Sequence, residues 1–346
     1  IAFAACGGAD DRDLRACVRV LILAQGVSFR KFFVQIISNL ELFLLFFDTM
    51  VPKIRGKMAK FKEILSDINE LIVFKHSVFA LPFIFTAMIT ASKLQNGSVW
   101  FGWKLLFLGI LCAVSARSFA MALNRYLDED IDRANPRCAS RPSVDGRIGR
   151  GNLLLFIIAN AVVFIAVSAL INPLALKLSV PILAALGGYS YFKRFSETAH
   201  LMLGFCLGLA PIAGAIAVSG VIPLWSVLLC LGVVFWVGGF DVLYSLQDME
   251  FDRTAGLYSI PALYGKEASM FISKIFHAVA VLFWLLFCAA ANLGFFAYLG
   301  VAACATILYF EHKIVQKDFS KIDRAFFTLN GYLGIAFFAF VFVNLF

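Results

Sequence analysis

The chain has 346 residues, of which 61% are apolar and only 15% charged, with a mean hydropathy of +0.87. Soluble domains average about 45–50% apolar and about 25% charged residues, so a water-soluble globular protein is excluded. Thirty Lys and Arg against 22 Asp and Glu give a net charge of +8. These charges sit between apolar runs, which suits loops lying against anionic lipid rather than a nucleic-acid surface.

In chain order, residues 1–57 differ from the rest. Their run from Phe33 to Phe47 is interrupted by Asn39 and Glu41. They read as a non-essential extension or a mis-assigned start; a signal peptide is the competing reading, but no small-residue cleavage site is obvious. Met58 then opens MAKFKEILSDINELIVFKHSVFALPF, an amphipathic helix leading into a membrane span, so residues 58–346 form the membrane domain.

From Ser77 onward nine apolar runs approach the roughly 20 residues needed to cross a bilayer. They fall at about 77–92, 102–123, 152–172, 174–192, 200–219, 222–244, 269–291, 294–310 and 325–346. The expected fold class is therefore all-α, a polytopic bundle of nine transmembrane helices. Lys60, Lys62 and Lys75 precede the first run. Arg125, Arg133, Arg137, Arg141, Arg147 and Arg150 follow the second, Lys193 and Arg194 the fourth, Arg253 and Lys266 the sixth, and Lys313, Lys317, Lys321 and Arg324 the eighth. Of the alternate loops, only 93–104 carries Lys, at positions 93 and 104. This alternation places the N-terminus and the charged loops in the cytoplasm, with an odd number of spans. The two long charged loops, 124–151 and 245–268, are four spans apart and emerge on one side, which suggests a tandem pair of four-helix units plus one helix.

Those loops carry the chemistry. Asn124, Asp128 and Asp132 are spaced i, i+4, i+8 and share one helical face, while Glu129 and Asp130 point elsewhere. Asp248 and Asp252 repeat the spacing, and Asp241 stands seven residues earlier near the same stripe. Such clusters are usually solvated loop charges. Two matching clusters after equivalent spans, in a chain so poor in charge, point instead to facing carboxylates that hold Mg2+, a hard cation whose remaining places suit a diphosphate.

Arg137, Arg141 and Arg253 follow the clusters, and Arg suits bidentate phosphate contact; topology alone accounts for them equally. Arg117 lies inside the second run, about two turns deeper than Asn124, where a charge is costly and faces the bundle interior with a partner. It either contacts substrate or pairs with an acidic residue. Tyr189 and Lys193 form another i, i+4 pair, and Lys193 either meets a diphosphate or snorkels at the interface. His76 faces an aromatic acid or, the favoured reading, caps the interface. His200, His277 and His312 lack metal spacing and read as structural, and the eight Cys show no CxxC pair and read as small buried apolar residues.

These residues resemble the UbiA superfamily of intramembrane aromatic prenyltransferases. The first signature, N-x-x-x-D-x-x-x-D, stands as Asn124, Asp128 and Asp132, with Arg125 where the family often has Asp. The second, D-x-x-x-D, stands as Asp248 and Asp252, and the Y-x-x-x-K element as Tyr189 and Lys193. The likeness covers about residues 70–346 and is greatest to bacterial 4-hydroxybenzoate polyprenyltransferases and to relatives that prenylate 1,4-dihydroxy-6-naphthoate. It implies a nine-helix bundle whose central cavity opens to lipid beneath the two acidic loops. It also implies transfer of a polyprenyl group from its diphosphate to an aromatic acid, with no nucleic acid and no obligate protein partner. In this scheme Asn124, Asp128, Asp132, Asp248 and Asp252 hold Mg2+. Arg137, Arg141 and Lys193 contact diphosphate, Arg117 or His76 faces the acceptor carboxylate, and Asp241 stabilises positive charge or takes up the proton. A membrane transporter is the alternative from another class; it expects its polar residues in broken helices near the midplane, not at helix ends.

Overall fold

A computed structural model of the chain describes residues 66–68, 70–71, 80–317, 322 and 325–346. The chain divides into two units, Ile1–Ser66 and Asp67–Phe346, and every element named below belongs to the second. The expectations for residues 1–57 and for His76 lie outside the described residues.

The described residues contain helices and no strand. A backbone in hydrocarbon has to satisfy its N–H and C=O groups within the segment, and a helix does so. The long helices are α1 (Leu81–Asn96), α2 (Trp103–Leu127), α4 (Arg150–Ile171), α5 (Pro173–Phe192) and α6 (Ala199–Ser219). They continue with α7 (Leu224–Ser245), α9 (Ile260–Ala290), α10 (Phe295–Lys317) and α11 (Asn330–Leu345). Two six-residue helices, α3 (Glu129–Ala134) and α8 (Met249–Thr254), follow α2 and α7. Among the described residues eight helices are long and apolar enough to cross a membrane, so the chain is a multi-pass membrane protein. The described part of the first expected span, α1, has 16 residues and falls short by itself.

The turns at one end of the bundle are short and uncharged. Gly97 and Gly220 close α1 and α6 in the left-handed conformation, which a residue without Cβ adopts freely. Asn172 accepts from the Ala175 N–H at 2.9 Å to start α5 and donates to the Ile216 carbonyl at 2.8 Å, tying that turn to α6. The other end carries α3 and α8.

Two large apolar cores, with a smaller third of Leu243, Met270, Val315 and Ile322, hold the helices. One joins α1, α7, α9, α10 and α11 around Phe83, Trp236, Trp284 and Phe337, whose rings approach to 5.1–6.2 Å. The other joins α2, α4, α5 and α6. Between them α6 and α7 approach closely at two glycines: a Cβ on Gly204 would sit 2.2 Å from the Val234 carbonyl oxygen, and one on Gly208 would sit 2.9 Å from that of Cys230. This is the close backbone approach that a G-x-x-x-G spacing permits in a membrane.

The first core also carries buried polar groups. Trp236 Nε1 donates to Asn330 Oδ1 at 2.8 Å, and Asn330 Nδ2 donates to Glu311 Oε1 at 2.8 Å. His277 Nδ1 and His312 Nε2 lie 2.9 Å apart. His277 and His312 thus sit in the bundle core, where a structural reading puts them. Glu311 was not expected there, because its apolar run ends at Phe310; α10 continues to Lys317, and its Asn330 partner comes from α11.

Candidate active site

Both acidic clusters form where a long helix bends. Asp128 ends α2 with φ −98° and ψ 12°, and Asp248 stands before α8 with φ −100° and ψ 2°. The same bridge-region backbone therefore occurs at both joints, each followed by six helical residues. At the first bend the i→i−4 bonding continues: Asp128 N–H donates to Asn124 O at 2.9 Å and Asp132 N–H to Asp128 O at 2.8 Å. The shared face of Asn124, Asp128 and Asp132 survives the bend for that reason. Glu129 and Asp130 point away, Glu129 to Arg133 (2.7 Å) and Asp130 to Arg194 (2.8 Å).

A cavity of about 490 Å3 lies between the two joints. Asp128, Asp132, Asp241, Asp248 and Asp252 all line it, with Asn124, Arg117, Arg137, Arg141, Tyr189 and Lys193. Arg253 does not. It is one position round α8 from Asp252, is half exposed, and directs its Nε to the Ala262 carbonyl at 3.3 Å and a guanidinium nitrogen to Glu250 at 3.6 Å.

Each carboxylate in the cavity meets a donor or cation. Asp128 Oδ2 accepts from Lys193 Nζ and Asn124 Nδ2, both at 2.7 Å, and Asn124 is steadied by Ser190 at 3.1 Å. Asp132 Oδ1 receives Arg141 at 2.6 Å. The strap 135–141 then crosses to the second cluster, where Asn135 Nδ2 donates to Asp248 Oδ1 at 3.2 Å and Arg137 pairs with Asp248 and donates to the Tyr244 hydroxyl at 3.0 Å. Asp252 Oδ2 accepts from Ser259 Oγ at 2.8 Å, and Asp241 Oδ2 faces His200 Nδ1 at 2.7 Å. Burial raises the Asp128 carboxyl above the ordinary range, and Lys193 opposes that rise. Asp130, outside the cavity, is instead held down at about 2 by its hydrogen bond from Arg194.

Two carboxylate oxygens in the first cluster, Asp128 Oδ1 and Asp132 Oδ2, are buried without a hydrogen bond. The nearest cations stand at 3.6 Å (Arg194) and 3.7 Å (Arg125). Among the described residues no three acidic, His or Cys side chains converge enough to enclose a metal by themselves. Hard, buried and unsatisfied oxygens that leave most of a coordination shell open do fit Mg2+, which keeps waters or substrate phosphates.

A second, apolar cavity of about 180 Å3 adjoins the first, and Arg117, Met121, Tyr189, Leu203 and Leu207 line both. Helical spacing did not single out His200, Arg125, Ser190, Asn135, Tyr244 or Ser259. His200, Ser190, Asn135 and Tyr244 reach the site through partners distant in sequence, Ser259 through Asp252 seven positions before it, and Arg125 stands inside the first signature next to Asn124.

The model of the UbiA prenyltransferase family matches residues 80–341. The chain belongs to the UbiA prenyltransferase family. It is 28% identical over 233 residues to a protein of Alkalilimnicola ehrlichii named 4-hydroxybenzoate octaprenyltransferase, covering 67% of this chain and 78% of the relative. A protein of Methylobacillus flagellatus with the same name is 30% identical over 242 residues, covering 68% and 81%. Among solved structures, a UbiA homolog from Aeropyrum pernix is 32% identical and superposes with a TM-score of 0.70 over 78% of this chain and 98% of its own. A UbiA homolog from Archaeoglobus fulgidus bound to DMAPP and Mg2+ shares the fold at 20% identity and a TM-score of 0.62, over 81% of this chain and 99% of its own.

Proposed function

We propose that this UbiA-family prenyltransferase moves a polyprenyl group from a polyprenyl diphosphate to a ring carbon of 4-hydroxybenzoate, with Mg2+, releasing diphosphate. One observation carries the reading: both acidic clusters line a single cavity together with Arg137, Arg141 and Lys193. The names of the curated relatives support the acceptor, and the Archaeoglobus fulgidus neighbour supports the metal and the allylic diphosphate.

Asn124, Asp128, Asp132, Asp248 and Asp252 would hold Mg2+, which when bound neutralises charge on the departing diphosphate. Arg137, Arg141 and Lys193 contact the diphosphate by exchanging the carboxylates they now pair with. The adjoining apolar cavity takes the first isoprene units and keeps water from the allylic cation. Arg117, at the junction of the cavities, contacts the acceptor carboxylate beside Tyr189. Asp241 takes the proton that the prenylated ring carbon loses. The placement of the carboxylates at helix ends rather than at midplane breaks favours this enzyme over a transporter.

The proposal includes nine spans within a membrane domain of residues 58–346, with the acidic loops in the cytoplasm. The test is to give purified membranes Mg2+, polyprenyl diphosphates of several lengths and either 4-hydroxybenzoate or 1,4-dihydroxy-6-naphthoate, and to weigh the products. Prenylated 4-hydroxybenzoate is expected; product from the naphthoate alone would move the proposal to that acceptor. Asp128→Ala and Asp248→Ala are each expected to lose turnover, and near-normal turnover in both would remove the metal assignment.

A further inference from the structure

His200 begins α6 and is 4% exposed, yet it lines the polar cavity. Its two ring nitrogens are both engaged, on different elements. Nε2 lies 3.2 Å from the Ile260 backbone N–H, which can only donate, so Nε2 must offer a lone pair. The ring proton is therefore on Nδ1, and Nδ1 donates it to Asp241 Oδ2 at 2.7 Å. Ile260 itself is fixed by its neighbours: Ser259 bonds Asp252 at 2.8 Å, and the Tyr258 N–H donates to the Lys193 carbonyl at 2.7 Å.

We infer that His200 is a positioning residue for the proton-accepting carboxylate of Asp241: the Ile260 N–H locks the imidazole as a donor, so Asp241 is held by one oxygen and presents the other to the acceptor ring. The inference rests on the prenyl transfer proposed above and assigns a role within it. In that step the ring π pair forms the bond to the allylic carbon. The C–H bond at the same ring carbon then breaks, its electron pair returns to the ring, and the proton goes to Asp241 Oδ1. No hydrogen bond from the described residues engages Oδ1. His200 cannot receive that proton by relay, because its remaining nitrogen is occupied by Ile260. The dyad is thus a clamp with the proton ending on the carboxylate.

An amide separates an acceptor and a donor in much the way an imidazole does, so Gln can reproduce both bonds and Ala neither. The test compares His200→Gln, His200→Ala and Asp241→Asn in the full-length chain in nanodiscs, with Mg2+, polyprenyl diphosphate and acceptor. Loss of a positioned general base costs roughly 100-fold or more in turnover. His200→Ala and Asp241→Asn are expected to lose kcat on that scale while KM for the diphosphate stays within about threefold, and His200→Gln is expected to keep kcat within about fivefold. His200→Ala with normal kcat, a defect confined to KM, or His200→Gln as impaired as His200→Ala would overturn the inference. Should His200→Ala fail to fold, His200→Gln and the nitrogen-15 spectrum of histidine-labelled wild type decide. That spectrum, assigned by the signal missing in His200→Gln, is expected to show His200 protonated at Nδ1 and bare at Nε2, and the opposite tautomer refutes the clamp. A wild-type chain inert towards both acceptors would defeat the proposed function, and the spectrum would still decide the clamp.

Discussion

Lys193 meets Asp128 at 2.7 Å from the end of α5, and it is the cation that most directly opposes the rise burial imposes on that carboxyl. A charge-assisted contact of this kind is worth about 1.5–3 kcal/mol when one partner is removed. Lys193→Met is therefore expected to lower kcat/KM for polyprenyl diphosphate by about 10- to 100-fold, read from initial rates over a range of diphosphate concentrations. Asp130 offers the contrast. Its pair with Arg194 lies outside the cavity on an exposed side chain, and such pairs contribute little. Asp130→Asn should leave the same rates within about twofold. Asn124, Asp128 and Asp132 were legible from spacing because hydrogen bonding carries their shared face through the bend at Asp128. His200 was not legible: its partners stand 41 and 60 positions away, and no periodicity encodes contacts between different helices.

Hydropathy located the long helices, since a run of apolar side chains and a spanning helix answer the same demand of the bilayer, but α9 starts nine residues before its apolar run and α10 ends seven after its own. It failed where polar groups satisfy one another across helices. The Trp236, Asn330 and Glu311 network joins α10 and α11 to α7, whose Trp236 stands 94 positions from Asn330. Replacing its middle member leaves two buried groups without a partner, each costing about 1–3 kcal/mol. Asn330→Leu is expected to lower the thermal midpoint of the detergent-solubilised protein clearly, whereas Asn330→Gln, which keeps donor and acceptor, should lower it less. The G-x-x-x-G contact makes a second expectation at this scale. Gly204→Ala forces a Cβ into the Val234 carbonyl and should destabilise by about 1–3 kcal/mol. Gly188→Ala meets nothing within 4 Å and should be neutral or slightly stabilising in the same melt. An equal response at the two positions would contradict the close approach of α6 and α7.

For the whole molecule, the proposed topology puts α3 and α8 on one side of the membrane and the α9–α10 turn on the other. Six described cysteines are free, five of them buried, and the half-buried sixth, Cys112, lies inside α2, so a new surface thiol should stand out against them. Labelled with an impermeant maleimide in oriented vesicles, Arg133→Cys and Arg253→Cys are expected to react from the cytoplasmic face and Asn292→Cys from the opposite one. Reaction of all three from one face would refute the topology. Class, approximate helix positions and the two acidic signatures follow from order along the chain, because hydrophobic length and i, i+4 spacing are local properties. Most of the groups that share the cavity followed as well, from Asn124 and the carboxylates to Arg137, Arg141 and Lys193, but their partners did not. Arg253 turned away, Asn135 crossed between clusters, and His200 met Asp241, because those outcomes depend on how helices remote in sequence pack against one another.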